Sequence, residues 1–338
     1  EINGIREPAG RNFSGLPMRL PFAGKLSMRL DVILPTFNRY ELLKLTLESL
    51  LAADTPAGLN VSVTVVDNNS SDETRDAVES YRPRFSGRLH YVFEKKQGRS
   101  HALNAGINST GGDLVGMIDD DEQIDRHWFH CIYEMFASGD VDFIGGPYVP
   151  RWSGTPPPWL PRNHAGVIGV VDGGSQHVYG TSDAELMGGN AVISRAMLTK
   201  VGLYSTDLGR NGKRPLADED TDMYHRLLAA GAKGVYVPDL IIYHYIHPDR
   251  LTKRYFRRWH FWRGVSSGLL DRRQPQPTPY MLGVPRYLCG SAARASLRML
   301  PGMVGFRKDP AGLFGDELKV IDLFGFFYGK HFYKPSNS

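Results

Sequence analysis

Leu114-Val115-Gly116-Met117-Ile118-Asp119-Asp120-Asp121-Glu122 is an apolar run that ends in consecutive carboxylates. Like charges packed this closely raise one another's pKa or repel, so such a cluster persists only in water or on a hard divalent cation with oxygen ligands. In open α/β sheets ligands gather beyond the carboxyl ends of the strands, and a cation placed there points to a phosphate-bearing substrate.

Working outward, Val32-Ile33-Leu34 reads as a buried strand. Leu43, Leu47, Leu50 and Leu51 follow at helical spacing, with Asn38 and Glu41 placed to cap that helix. Residues 61–66 form a second strand that runs into Asp67-Asn68-Asn69, and Ser70 with Glu73 makes a capping box for the next helix. A strand at 89–93 and a helix at 100–108 continue an alternation that predicts a parallel sheet. Residues 35–38, 67–69 and 119–121 then sit at strand ends and converge on one crevice.

Beyond the cluster, the pattern predicts a helix at 125–137, a short strand at 143–145 and a Pro- and Trp-rich loop at 147–161. That loop is either a wall on the substrate side or a proline-stiffened connection. A helix at 220–230 and strands at 234–237 and 240–243 complete the sheet.

The chain of 338 residues has no internal repeat, so the expectation is one large α/β domain with an appendage. With 41% hydrophobic and 22% charged residues it can bury a sizeable core. A net charge of +4 is too small for general nucleic-acid binding, and the surplus lies in the C-terminal third. Cys131 and Cys289 stand apart without a CxxC partner, which fits free thiols in the cytoplasm. No run approaches the ~18 apolar residues of a membrane span, so the protein is expected to be soluble, or peripheral on the inner face of the membrane. Residues 1–28 read as an extension without assigned function.

Pro35-Thr36-Phe37-Asn38-Arg39 behind the first strand contains no glycine, which disfavours dinucleotide binding, and no GxxxxGK[ST] loop is present. In order and spacing, Leu34 to Arg39, Val65-Val66-Asp67-Asn68-Asn69-Ser70-Ser71-Asp72, Ile118 to Glu122, Gly188-Gly189-Asn190 and Glu219-Asp220-Thr221-Asp222 resemble a family 2 glycosyltransferase of the GT-A fold. The resemblance spans residues 30–265, and Trp128, Gly145-Gly146-Pro147 and Pro158-Trp159 resemble its bacterial branch that builds exopolysaccharide on a lipid carrier.

The resemblance implies a GT-A catalytic domain at 29–245, with a nucleotide-sugar half at 29–122 and an acceptor half at 123–245. An amphipathic helical region follows at 246–338. It implies that Pro35, Thr36, Phe37, Asn38 and Asp67 hold the nucleotide base, that Asp119 or Asp120 reaches the ribose, and that Arg99 touches base or diphosphate. Physically, a carboxylate accepts a ring N–H and Phe37 offers a stacking face. Where many relatives have Ala-Arg-Asn, this chain has Ala102-Leu103-Asn104. By the same resemblance Asp121 binds Mn²⁺ or Mg²⁺, His244 completes that site with His247 as competitor, and Asp220 is the general base. Gly189, Asn190, Glu219 and Trp159 lie on the acceptor side. The structural alternatives are a core Phe37, a loop-capping Asp67, a solvated acidic turn, a helix-start Asp220 and a structural His244.

Residues 249–263 are basic and aromatic together. Leu251, Tyr255, Trp259 and Trp262 share one helical face and Arg250, Lys253, Arg254, Arg257 and Arg258 the other. Such a helix lies on anionic lipid, or packs on the catalytic domain with arginines aimed at diphosphate; residues 313–328 add apolar surface. The implied activity is inverting transfer from a nucleotide-diphosphate sugar, UDP favoured and dTDP or GDP allowed, to a saccharide or lipid-linked saccharide. The rivals are a nucleotidyltransferase or sugar-nucleotide hydrolase, and a non-catalytic carbohydrate- or membrane-binding scaffold.

Overall fold

A computed structural model describes residues 27–161, 166–181, 185–208, 219–273, 275–303 and 309–334. Most of the expected N-terminal extension lies outside these residues; its last position, Met28, already belongs to the first strand. β1 (Met28–Thr36) pairs in parallel with β2 (Leu59–Asp67) and with β4 (Leu114–Met117), which brings Thr36 beside Asp67 and Ile33 beside Met117. β3 (Leu89–Phe93) extends the sheet from β2. Between them run α1 (Tyr40–Ala52), α2 (Thr74–Tyr81) and α3 (Arg99–Asn108).

The expected caps are replaced. Asp72 accepts the Tyr40 N–H at 3.2 Å through Oδ2 and the Thr74 N–H at 3.1 Å through Oδ1, so one carboxylate serves two helix starts. Asn38, at φ +53°, instead accepts the Ser71 N–H at 2.7 Å.

Past the acidic cluster come β5 (Glu122–Ile124), α4 (Trp128–Ala137), β6 (Phe143–Gly145), β7 (Tyr148–Trp152), β8 (His177–Val178), β9 (Ala191–Ser194), α5 (Arg195–Val201), α6 (Glu219–Ala229), β10 (Gly234–Tyr236) and β11 (Ile242–Ile246). The main sheet has the order β3-β2-β1-β4-β9-β6-β10-β8 and is mostly parallel. β9 departs from the expected pattern, because it runs antiparallel to both β4 and β6. An antiparallel insertion needs no crossover helix, so it leaves no strand–helix–strand period to read.

Two further expectations are corrected by a small sheet of order β5-β11-β7. The strand expected at 240–243 is β11, two residues later and outside the main sheet. The loop expected at 147–161 contains β7, where Pro150 is tolerated because β7 is an edge strand.

One apolar layer, with Leu43, Leu47, Trp128 and Ile132, covers one face of the main sheet; Leu103, Ile107, Met223 and Leu227 cover the other. The C-terminal region consists of α7 (Lys253–Arg273), a hairpin of β12 (Tyr280–Met281) and β13 (Val284–Pro285), α8 (Arg286–Met303) and α9 (Pro310–His331). α7 and α9 meet backbone to backbone at Gly264, Gly268, Gly325 and Gly329. A Cβ on Gly264 would lie 2.5 Å from the Asp322 carbonyl oxygen, and one on Gly268 the same distance from that of Phe326. Small residues four apart permit this approach. α7 buries Phe256, His260, Val265 and Leu269, so its deepest residues differ from the wheel of Leu251, Tyr255, Trp259 and Trp262, which are half-buried. Packing therefore claims this helix. Among the described residues no helix is long and apolar enough to cross a membrane.

Candidate active site

The carboxyl ends of β1 and β4 place the acidic cluster under the loop that follows β1. Thr36 Oγ1 donates to Asp120 Oδ2 at 2.9 Å, and Arg39 Nη1 donates to Asp120 Oδ1 at 3.1 Å and Asp121 Oδ2 at 3.0 Å. Asp120, Asp121 and Glu122 are 5%, 7% and 2% exposed, which rules out a solvated turn. Arg250 Nη2 donates to Asp121 Oδ2 at 2.8 Å while its Nη1 lies 3.0 Å from His244 Nε2, and that nitrogen is 3.5 Å from Asp121 Oδ1.

These neighbours pull the carboxyls apart electrostatically. Burial, with the Asp121 and Asp119 charges, raises Asp120 to about 6 despite Arg39 and the Thr36 hydroxyl. Burial works against the Asp121 carboxylate too, but the His244 hydrogen bond and the charges of Arg250, His244 and Arg39 outweigh it and hold Asp121 well below the usual range. Glu122, buried beside Asp119 and Asp121, is pushed well above it, although its Oε2 accepts the Asp119 N–H at 2.7 Å.

A second cation links the cluster to α6. Arg99, at the start of α3, donates through Nε to Asp119 Oδ1 at 2.9 Å and through Nη1 to Asp220 Oδ1 at 3.0 Å and Glu219 Oε1 at 3.3 Å. Gly188 and Gly189 form the floor: a methyl on Gly188 would collide with the Asp220 carboxylate, and one on Gly189 with that of Glu122. All these groups line one cavity of about 860 Å³, which runs from Pro35, Phe37 and Asn68 to Trp259, Asp271 and Gln276 on or just after α7.

Phe37 is 43% exposed on that cavity, so it is not a core residue. Asp67 is 3% exposed, with Oδ1 accepting the Ser70 N–H at 2.8 Å and Oδ2 the Tyr91 hydroxyl at 2.7 Å. In this state it caps the loop, and Asn68 is the residue of that strand end which lines the cavity. Asn190 is fully buried: it accepts from Trp128 Nε1 at 2.9 Å and donates to the carbonyl oxygens of Pro147 and Leu240, which is a bracing role. Trp159 packs edge-on against Phe256 and Phe314 and is not brought to the cavity wall. His247 faces Asp249 at 3.8 Å, whereas His244 is buried in the cluster. Arg39, Gly188 and, as a ligand candidate, Glu122 go beyond the expected site residues, though each closes or borders one of the motifs; of the basic stretch whose arginines could face diphosphate, Arg250 is the one on Asp121, just ahead of α7.

Residues 31–202 match the sequence profile described as glycosyl transferase family 2. The chain belongs to this family. Among curated relatives, a glucosyl-dolichyl phosphate glucuronosyltransferase of Haloferax volcanii is 26% identical over 254 residues, 74% of this chain and 79% of its own. The succinoglycan biosynthesis protein ExoM of Rhizobium meliloti is 24% identical over 247 residues, 72% of this chain and 75% of its own. The structure of a mannosyltransferase from Pyrobaculum calidifontis, in complex with GDP-Man and Mn²⁺, superposes with a TM-score of 0.61 at 19% identity over 89% of this chain and 87% of that one. The fold is thus the expected GT-A arrangement, and this family 2 member is a glycosyltransferase.

Asp121, Glu122 and His244 of this glycosyltransferase offer ligand atoms that all lie within 4.8 Å of one another, and all three residues are buried. Two carboxylates and an imidazole are a donor set that takes a divalent ion of the Mn²⁺ or Mg²⁺ kind. These buried, convergent oxygen and nitrogen donors fit such an ion.

Proposed function

We propose that this protein is a metal-dependent inverting glycosyltransferase that moves a sugar from a nucleotide-diphosphate donor to a hydroxyl of a saccharide or lipid-linked saccharide in polysaccharide assembly. The observation that carries the proposal is the Asp119–Arg99–Asp220 bridge, which holds a partly exposed carboxylate on the same cavity wall as the buried acidic cluster.

The base stacks on Phe37 beside Pro35, with Asn68 in place of Asp67 as the polar contact, and Asp119 or Asp120 meets the ribose. Asp121, Glu122 and His244 would hold the divalent cation, which would supply positive charge to offset that building on the departing diphosphate. Arg39 and Arg250, already turned toward these acids, supply further positive charge to the diphosphate. Asp220, anchored through Oδ1 by Arg99 and 28% exposed in its side chain, takes the proton of the acceptor hydroxyl as it attacks the anomeric carbon. A single displacement on the face opposite the diphosphate inverts that centre. Gly189 and Glu219 shape the acceptor side of this wall.

The names of the two curated relatives support a lipid-linked or polysaccharide acceptor, and the Pyrobaculum structure, solved with GDP-Man, keeps GDP beside UDP as a donor nucleotide. Replacing Asp220→Asn tests the reading: sugar transfer should collapse while Mn²⁺-dependent nucleotide binding persists. Undiminished turnover would favour a nucleotidyltransferase or sugar-nucleotide hydrolase, which needs no acceptor base.

A further inference from the structure

We infer that the outward face of α9, together with the tip of the β12–β13 hairpin, docks on the surface of an anionic lipid bilayer. Phe324, Phe327 and His331 recur at the spacing of one helical face, away from the glycines that pack on α7, and Tyr328 and the C-cap Phe332 carry that face round to the edge of the α7 contact, where Tyr328 lies 5.9 Å from Phe261. That face should be polar, yet Phe324 and Phe332 are both 63% exposed, and Leu282 at the hairpin tip is 81% exposed. Four of these rings adjoin one another: Phe327 lies 4.7 Å from His331 and 5.8 Å from Phe332, centroid to centroid, and Tyr328 lies 6.4 Å from Phe332. His331 Nε2 is 3.0 Å from the Leu282 carbonyl oxygen, which joins the hairpin tip to the helix. Leu282 holds φ +51°, a conformation leucine rarely adopts, and by this turn the chain presents Met281 and Leu282 outward. Contiguous exposed aromatic and aliphatic surface of this kind marks an interaction site.

Charge selects the occupant. Residues 246–338 hold sixteen Lys and Arg against six Asp and Glu, a surplus of ten, whereas the whole chain carries +4, so residues 1–245 are net −6. Near the patch, Arg272 is fixed against the end of α9 by bonds to the Lys330 and Tyr333 carbonyl oxygens at 2.6 and 3.0 Å; Arg286 directly follows the hairpin and Lys334 comes two residues after Phe332, all three exposed. Aromatic rings rimmed by Arg and Lys suit the headgroup layer of a negatively charged bilayer, and a second copy would bring another +10 against this surplus.

The patch also adjoins the cavity. Asp271, on the cavity wall, accepts from Lys330 of α9 at 2.6 Å and from the Tyr280 hydroxyl of the hairpin at 2.6 Å. Docking by this face thus sets the α7 end of the cavity at the lipid surface, where a lipid-linked acceptor would be presented; this orientation, unlike the docking itself, rests on the proposed function.

The test is co-sedimentation of the full chain with vesicles of phosphatidylcholine containing 30% phosphatidylglycerol. Binding is expected to weaken about tenfold or more in pure phosphatidylcholine, in about 0.5 M salt, and in Phe324→Ser/Phe327→Ser/Phe332→Ser. Because that triple variant alters one helix, Leu282→Ser serves as an independent probe at the hairpin, with a smaller loss expected. Both variants should keep wild-type circular dichroism and Mn²⁺-dependent nucleotide binding. Equal binding to neutral vesicles, unchanged partition of both variants, or a wild-type dimer that the triple variant dissociates would overturn the inference. Loss of nucleotide binding by the wild type would refute the enzyme reading and leave the vesicle result standing.

Discussion

Arg250 lies directly on Asp121, its Nη2 donating to Oδ2 at 2.8 Å, so a guanidinium from outside the catalytic sheet shares the carboxylate proposed to bind the divalent cation. Two cations compete for one anion there. Arg250→Ala should bind Mn²⁺ more tightly in the absence of nucleotide, by about tenfold, while its affinity for nucleotide diphosphate at saturating Mn²⁺ falls by a similar factor, as expected for one lost charge-assisted bond. Paramagnetic resonance of free Mn²⁺ and calorimetry read the two terms separately. Unchanged affinities in both would show that Arg250 is only a structural partner.

The position of Asp220 depends on a residue without a side chain. Gly188→Ala places a methyl where the Asp220 carboxylate now sits and forces that group to move. A displacement of this size costs about 100-fold in kcat, with nucleotide affinity in Mn²⁺ expected to stay within about twofold. If transfer survives the substitution, Asp220 is not the proton acceptor in this geometry.

Metal binding should carry a proton signature. Glu122 has its carboxyl pushed well above the usual range by burial and by Asp119 and Asp121, so the metal-free enzyme holds a proton there that a cation must displace. Affinity for Mn²⁺ therefore rises with pH, approaching about tenfold per pH unit per displaced proton. Calorimetry in two buffers of different ionisation enthalpy measures the release, and Glu122→Gln should flatten the dependence. A pH-independent affinity in the wild type would exclude Glu122 as a ligand.

The packing of α9 on α7 allows no side chain at the crossing. A Cβ on Gly325 would collide with the Phe261 carbonyl oxygen, so Gly325→Val should lower stability by about 3 kcal/mol, the upper range of overpacking. Gly111→Ala, which meets open space, should change it by less than about 0.5 kcal/mol. Thermal unfolding distinguishes them, and equal melting temperatures would mean that the helices are not in contact in solution.

Much of this architecture could be read from the chain. β3 and β6 lie at the expected residues, and the ends of β1 and β4 converge as expected: β1, β4 and β6 are buried apolar runs closed by turn residues, and the edge strand β3 is legible from its aromatic and β-branched residues. What escaped reading depends on partners distant in sequence. β9 has meaning only between β4 and β6, β7 only beside β11, and α7 buries Phe256 and His260 because α9 brings Phe314 against the first and Asp322 to the second. In the site, Thr36, Phe37, Arg99, Asp119 to Asp121, Asp220 and His244 were brought together on one cavity. Trp159 and Asn190 were not, since an aromatic ring and a polar amide beside a motif have the same letters whether they face a ligand or brace a loop.

The most direct measurement is calorimetric titration of UDP and GDP into the full chain in Mn²⁺ and in EDTA, repeated with Asp121→Asn. The expected result is binding of at least one nucleotide in Mn²⁺, weaker by about tenfold or more in EDTA, with the metal dependence abolished in Asp121→Asn. Equal binding with and without metal, or a full Mn²⁺ effect in Asp121→Asn, would contradict a cation held between Asp121 and the donor diphosphate.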